Sequence, residues 1–253
     1  MRISNPKLLP VCRSLWIPVT FRTQTRPLSR WHAQQSSDVY VKAAKAESYR
    51  CRSAFKLLQI NESFSLFKGK KRVVDLGAAP GSWSQIAVKL ARKEPSTIPV
   101  LSIDLLDFES VPGTIHLPKT SVENTSVINK AMEEMWGENK PQLVLSDMLH
   151  NVSGENSFDH LNSLKLCSHV LKFCFIHLED RGSVVMKIYN GPHEPEFIKL
   201  LQFYFKRVKR FKPDASRKSS KEHYIIAKGF QRDVYDKKHS RPEIQDDLSE
   251  ELD

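Results

Sequence analysis

Between residues 71 and 230, short apolar runs alternate with longer segments whose apolar positions recur every three or four residues. Lys71–Leu76 (KRVVDL), Ile98–Leu105 (IPVLSIDL), Pro141–Ser146 (PQLVLS), Gly182–Ile188 (GSVVMKI) and His223–Ala227 (HYIIA) are short and mostly apolar, as strands buried on both faces are. Ser82–Ala91, Phe158–Leu178 and Glu194–Phe205 predict helices; in the second, Leu161, Leu164, Leu171, Phe175 and Leu178 share one face. Glu47–Asn61 (ESYRCRSAFKLLQIN) sets Tyr49, Phe55, Leu58 and Ile60 among arginines and predicts another helix. Strands alternating with helices of this length predict βαβ units. The expected fold is therefore α/β, a mostly parallel, doubly wound sheet in a single domain. Ligands of such sheets lie beyond the carboxyl ends of the strands.

Both ends of the chain depart from this pattern. The first 37 residues hold six basic residues and no acid, with several Ser and Thr. That composition predicts a mitochondrial transit peptide at 1–37, with a basic RNA-touching arm as the alternative. Residues 231–253 carry eight acids against four basic residues and predict a solvated, unstructured tail. The expected domain is then 38–230. No run approaches 18 apolar residues, so no membrane-spanning helix is expected. Cys12, Cys51, Cys167 and Cys174 form no CxxC pair and no zinc spacing with histidine, so they read as buried thiols in a reducing compartment, with no metal site. The formal charge of +10, from 39 Lys and Arg against 29 Asp and Glu, suits a polyanionic partner.

The first strand runs into Asp75-Leu-Gly-Ala-Ala-Pro-Gly-Ser-Trp83. Gly77 and Gly81 let the backbone approach a ligand, and the next strand ends on Asp104, an acid able to accept both ribose hydroxyls of an adenosine cofactor. The spacing is not GxGxxG, which disfavours a pyrophosphate-binding dinucleotide site.

DLGAAPGSWSQ resembles the cofactor motif of the FtsJ/RrmJ family of S-adenosylmethionine-dependent RNA 2′-O-ribose methyltransferases. The resemblance extends to SYRCRSAFKL before it, SDM at Ser146–Met148, VVMKIYNG at Val184–Gly191 and KPDASRKSSKEHYIIA at Lys212–Ala227, in the family's order. It implies a Rossmann-like methyltransferase fold with S-adenosylmethionine as cofactor. The lead-in Val41–Leu58 is most similar to the mitochondrial branch, which modifies a uridine in large-subunit ribosomal RNA. That branch implies a matrix location and ribosomal RNA as partner, within a large-subunit assembly intermediate.

The family's Lys–Asp–Lys–Glu tetrad falls on Lys56, Asp147, Lys187 and Glu222. A ribose hydroxyl needs a base as it attacks a sulfonium methyl. Lysine is protonated at neutral pH unless a second cation or desolvation lowers its pKa. On this reasoning Lys187 is the base, Lys56 the neighbouring cation that orients the ribose, and Asp147 and Glu222 hold the lysines. The resemblance also implies cofactor contacts at Gly81, Trp83, Asp104 and Asp147. Taken singly, Lys56 and Glu222 also read as solvated charges, Asp147 as a cap, and Trp83 as core packing.

Two departures stand out. The family's SDMAPN is here Ser146-Asp-Met-Leu-His-Asn151, with Leu149 and His150 replacing Ala-Pro. Where many members place an acid after the third strand to hold the adenine amino group, His116-Leu-Pro-Lys-Thr120 has none. An ungapped count lands on Thr120, with backbone or Glu123 as alternatives. Arg50, Arg52, Lys68, Lys70, Lys71, Arg72, Lys212, Arg217, Lys218 and Lys221, together with Lys206, Arg207, Lys209 and Arg210, are candidates for a phosphate-binding groove. Three rival readings stay open at this point: a non-catalytic RNA-binding assembly factor, a methyltransferase acting on tRNA, and a nicotinamide oxidoreductase sharing the strand–glycine turn–helix start.

Overall fold

The computed structural model describes residues 38–91, 98–150 and 153–239. The expected leader 1–37, Asn151 and tail residues 240–253 lie outside them. The apolar runs become β1 (Val73–Leu76), β2 (Val100–Ile103), β4 (Leu143–Ser146), β5 (Ser183–Tyr189) and β7 (Glu222–Phe230), joined by β3 (Thr114–Leu117) and β6 (Phe205–Phe211). They make one sheet of order β3-β2-β1-β4-β5-β7-β6. The first five strands are parallel, β7 runs antiparallel to β5, and edge strand β6 antiparallel to β7. The connections reverse direction between β1 and β4, opening a crevice at the carboxyl ends of those two strands.

Period-two alternation divides the strand residues between two cores. Val74, Leu76, Val144, Val184, Met186, Ile188, Ile225 and Ala227 pack with α4 (Thr125–Trp136), α5 (Asn156–His177) and α6 (Glu194–Tyr204). Val73, Leu143, Leu145, Val185, Tyr224 and Ile226 pack on the other face with α2 (Ala54–Phe64) and α3 (Ser82–Ala91). Asp75, Lys187 and Glu222 share the parity of this second set. The sheet's own geometry therefore delivers these polar groups to the α2 side.

Several expected boundaries move. Glu47–Ser53 is not helical and α2 begins at Ala54. Tertiary partners override the periodicity: Ser48 takes φ 58°, the Arg50 amide donates to Gln85 Oε1 (2.9 Å), and the Arg52 guanidinium pairs with Asp38 and the Ala215 carbonyl. Asp38 caps α1 (Val39–Ala46), which the apolar pattern did not announce; β3 and α4 were equally silent. Order also continues past residue 230 into the expected tail, as α7 (Arg232–His239). Arg232 donates to the Phe175 and Leu178 carbonyls, capping α5, while Tyr235 stacks on Phe175 with ring centroids 4.6 Å apart. The predicted helix Glu194–Phe205 gives way at Phe205 to β6, whose exposed basic residues suit an edge strand. Among the described residues no helix is long and apolar enough to cross a membrane.

Candidate active site

Asp147 directly follows β4 at the sheet's carboxyl edge. Its Oδ1 accepts from Lys187 Nζ (2.8 Å) and from the Tyr224 hydroxyl (2.7 Å), and its Oδ2 from Ser53 Oγ (2.7 Å). Lys187 Nζ donates a second time, to the Asp147 carbonyl at 2.6 Å. Beside this cluster Lys56 Nζ, on the first turn of α2, donates to Glu222 Oε1 at 2.5 Å. The Lys56 ammonium also lies 5.9 Å from the centre of the Tyr224 ring. Lys56, Lys187 and Glu222 are each at most 8% exposed, so none is an ordinary solvated charge. The structure thus brings all four tetrad positions together, from α2, β4, β5 and β7.

The charges explain one another. Burial alone raises the Asp147 carboxyl, but Lys187 and Lys56 nearby, with hydrogen bonds from Lys187 and Ser53, outweigh it and hold the group at about 2. Tyr224 is pushed well above the usual phenol range by burial, then by Asp147 and Glu222, so it remains a donor. Sequence reasoning missed both Tyr224 and Ser53. For Tyr224 a signal existed: the alternation that carries Glu222 to the α2 face carries residue 224 there as well. Ser53 is positioned from behind, since its carbonyl accepts from Trp83 Nε1 (2.9 Å). The Trp83 ring is itself buried, 5.6 Å from that of Tyr224.

At the other side of the crevice the glycine turn follows β1. Gly77 and Gly81 both have positive φ, 70° and 105°. A Cβ on Gly77 would come within 2.2 Å of Met148 Cγ, and one on Gly81 within 2.7 Å of Arg50 Nη1 and Val111 Cγ2. Asp104, at the end of β2, faces this turn: its Oδ2 accepts from the Ala79 amide (2.8 Å) and its Oδ1 from Leu106 (2.7 Å). Each oxygen keeps a lone pair for a further donor. Thr120 is drawn alongside by its own amide, which donates to the Asp104 carbonyl at 2.9 Å. Its hydroxyl donates to Pro118 O (3.0 Å) and retains acceptor capacity. Leu149 and His150 are exposed.

Two arginines expected at an RNA surface are instead occupied inside the fold. The Arg50 guanidinium donates to the Pro80 carbonyl (2.8 Å), to Ser110 O (2.8 Å) and to Glu109 O, fastening the glycine turn to the segment after β2. Arg52 is held by Asp38 and Ala215 as described. Another buried acid also went unremarked in the sequence. Asp75 is wholly buried on β1, and its Oδ2 accepts from Ser84 Oγ (2.6 Å) while its Oδ1 has no hydrogen-bond partner among the described residues. Burial, reinforced by the charges of Asp147 and Asp104, pushes it up to about 7 despite the Ser84 hydrogen bond.

A glycine turn after β1, an acid after β2 and a second acid after β4, on a sheet with this strand order, define a Rossmann-like methyltransferase. Residues 49–230 match the model of the FtsJ-like methyltransferase family. A protein named ribosomal RNA large subunit methyltransferase E from Novosphingobium aromaticivorans is 40% identical over 213 residues, 83% of this chain and 92% of that protein. Its namesake from Rickettsia bellii is 38% identical over 212 residues, covering 82% and 91%. A crystal structure described as a ribosomal RNA methyltransferase from Plasmodium falciparum shares the fold, with a TM-score of 0.63 at 24% identity over 72% of this chain and 98% of that one. The chain belongs to the FtsJ-like methyltransferase family, and its cofactor is S-adenosylmethionine. Membership sets aside the nicotinamide oxidoreductase reading.

The residues present fit that cofactor. Asp104 offers acceptors for a ribose diol, the glycine turn keeps side chains out of the way, and ionised Asp147 suits a sulfonium cation. Thr120, on which the ungapped count lands, is buried and offers a hydroxyl there rather than a charge.

Proposed function

We propose that this protein transfers the methyl group of S-adenosylmethionine to the ribose 2′-hydroxyl of a uridine in mitochondrial large-subunit ribosomal RNA, in the matrix, within a large-subunit assembly intermediate. The observation that carries the reading is the Lys187–Asp147 pair set beside the buried Lys56–Glu222 pair. The relatives' names support a ribosomal RNA substrate, and the acid-free basic leader and the Val41–Leu58 block support the mitochondrial uridine branch.

Gly77, Gly81, Asp104, Thr120 and Asp147 would hold the cofactor. Trp83 would do so through its backbone, since its indole N–H is taken by Ser53. When bound, the cofactor supplies an electrophilic methyl group on a sulfonium. Two bonds of Lys187 Nζ are spent on Asp147, which leaves its remaining tetrahedral position for a hydroxyl of the substrate. As the neutral amine, Lys187 accepts the 2′-hydroxyl proton while the oxygen attacks; the resulting ammonium is met by the Asp147 carboxylate. Lys56, anchored by Glu222, donates to the ribose and keeps a positive charge near the base. Asp147 is held by three donor groups, which limits its motion, and alignment of hydroxyl and methyl supplies most of the acceleration.

Mapping 2′-O-methyl groups in organellar ribosomal RNA with and without the protein tests the reading. Loss of one uridine's mark in the large-subunit RNA is expected. An unchanged map, or loss confined to tRNA, overturns it.

A further inference from the structure

The basic residues that sequence alone grouped together are divided by the sheet, and the division singles out one face. Lys209 and Phe211 of β6 pair with Ile226 and Tyr224 of β7, and Arg207 with Lys228, so their side chains share the α2 face with Glu222 and Lys187. Arg207 and Lys209 are exposed. At the far end of this face three cations converge: burial, then Arg207 and Lys70, push the Lys228 ammonium below its ordinary range. Lys228 is anchored by donating to the Phe64 carbonyl at 2.8 Å, and Phe64 meets Phe211 edge-on with ring centres 5.4 Å apart. At the near end Arg217, in the loop that carries exposed Lys212, Lys218 and Lys221, lies close enough to the held Arg52 to repel it beside Glu222. Glu179 offsets Lys70, and Asp38 and Glu222 offset Arg52, which leaves Arg207, Lys209 and the Arg217 loop as the charges that a polyanion would cover.

We propose that this strip, from Lys70, Lys228 and Arg207 through Lys209 to the loop at Arg217, is the track along which the RNA backbone enters the active site. The inference rests on the ribosomal RNA reading above. Six residues of strand separate Lys228 from Glu222, so the track reaches about 20 Å beyond the tetrad. Phosphates are the partner that the chemistry fits: the strip offers cations along a line, and the base-reading task is left to the crevice. Arg210, one residue from Lys209, is not part of it. It turns to the opposite face, where it pairs with Glu194 at 2.7 Å and donates to Asn190 (3.0 Å).

The test is the salt dependence of binding to a transcript of large-subunit ribosomal RNA, read by fluorescence anisotropy, for Arg207→Gln/Lys209→Gln. Removing two phosphate contacts should flatten the log Kd against log salt slope by about 1.5 and weaken binding about tenfold near physiological salt. Affinity for S-adenosylmethionine and kcat at saturating RNA should not change. Arg207→Lys/Lys209→Arg should restore both slope and affinity. Lys165→Gln/Lys199→Gln, which removes two exposed charges from α5 and α6 on the opposite face, should leave the slope in place. An unchanged slope in the first variant, or an equal change in the second, overturns the track. Binding is measured without turnover, so absence of methyl transfer in the wild-type chain would count against the substrate reading alone.

Discussion

Lys187 and Tyr224 are cross-strand partners on β5 and β7, and both donate to the same oxygen, Asp147 Oδ1, at 2.8 and 2.7 Å. The sheet register therefore sets the spacing between Lys187 Nζ, the base we propose, and the carboxylate, and the tyrosine holds the carboxylate through a second, separate hydrogen bond. Two substitutions separate these roles. Lys187→Ala should lower kcat at least about 10³-fold, the upper part of the range for a general base, while calorimetry shows cofactor binding retained. Tyr224→Phe keeps the ring against Trp83 and removes one donor, so kcat should fall only about tenfold. Methyl transfer retained by Lys187→Ala would reject the base assignment.

The Lys56–Glu222 pair is nearly sealed from solvent, and removing one partner leaves the other buried and alone. Glu222→Ala should cost about 3 kcal/mol in urea unfolding. The double variant Lys56→Ala/Glu222→Ala should lose less than the sum of the single losses, because no orphaned charge remains. Strict additivity would show that the two side chains do not interact in solution.

Asp75 makes stability depend on pH in a direction unusual for a carboxylate. Its folded-state pKa, about 7, lies above the ordinary value near 4. The fold therefore favours the protonated form, and this contribution is complete below about pH 4 and lost as pH rises to about 7. The full span is on the order of 4 kcal/mol. Asp147, held at about 2, changes only below pH 4 and does not interfere in that window. Melting temperatures of the wild type and Asp75→Asn should diverge between about pH 4 and 7, the variant gaining as pH rises, and run parallel above that. Curves parallel throughout would place Asp75 in a more solvated setting.

Arg50 joins the glycine turn to the segment after β2 through three carbonyl groups, beside the residues that would hold the cofactor. Arg50→Ala should raise the Kd for S-adenosylmethionine at least about tenfold, with Arg50→Lys only partly restoring it, because an ammonium cannot reproduce the planar fork. RNA affinity should hardly change. The reverse pattern, RNA binding lost with cofactor binding intact, would return Arg50 to the RNA surface.

Much of this organisation is legible along the chain. Strand parity alone separates the residues that face α2 from those that face α5, which is why Lys187 and Glu222 arrive on one side together. The glycine turn and Asp104 are local features, since one strand and one turn position each. Short-range patterns fail where partners are distant. Glu47–Ser53 has helical periodicity, yet Gln85, Asp38 and Ala215 draw it out of the helix. Arg232–His239 carries tail-like composition, yet the open carbonyls of α5 and the Phe175 ring recruit it.

The sequence by itself determined the α/β alternation, because periodicity is a property of the chain alone, and its motifs carried the resemblance that implied the four tetrad positions. Only the tertiary structure decided which charges meet. Asp147 and Tyr224 lie 77 positions apart, Lys56 and Glu222 166, and their pairing depends on strand order and register. The same holds for the basic residues: Arg50 and Arg52 are consumed inside, Arg210 turns away, and Arg207 and Lys209 remain on the face that leads to the site. A charge acts through the distance to its neighbours, and that distance exists only once the sheet has formed.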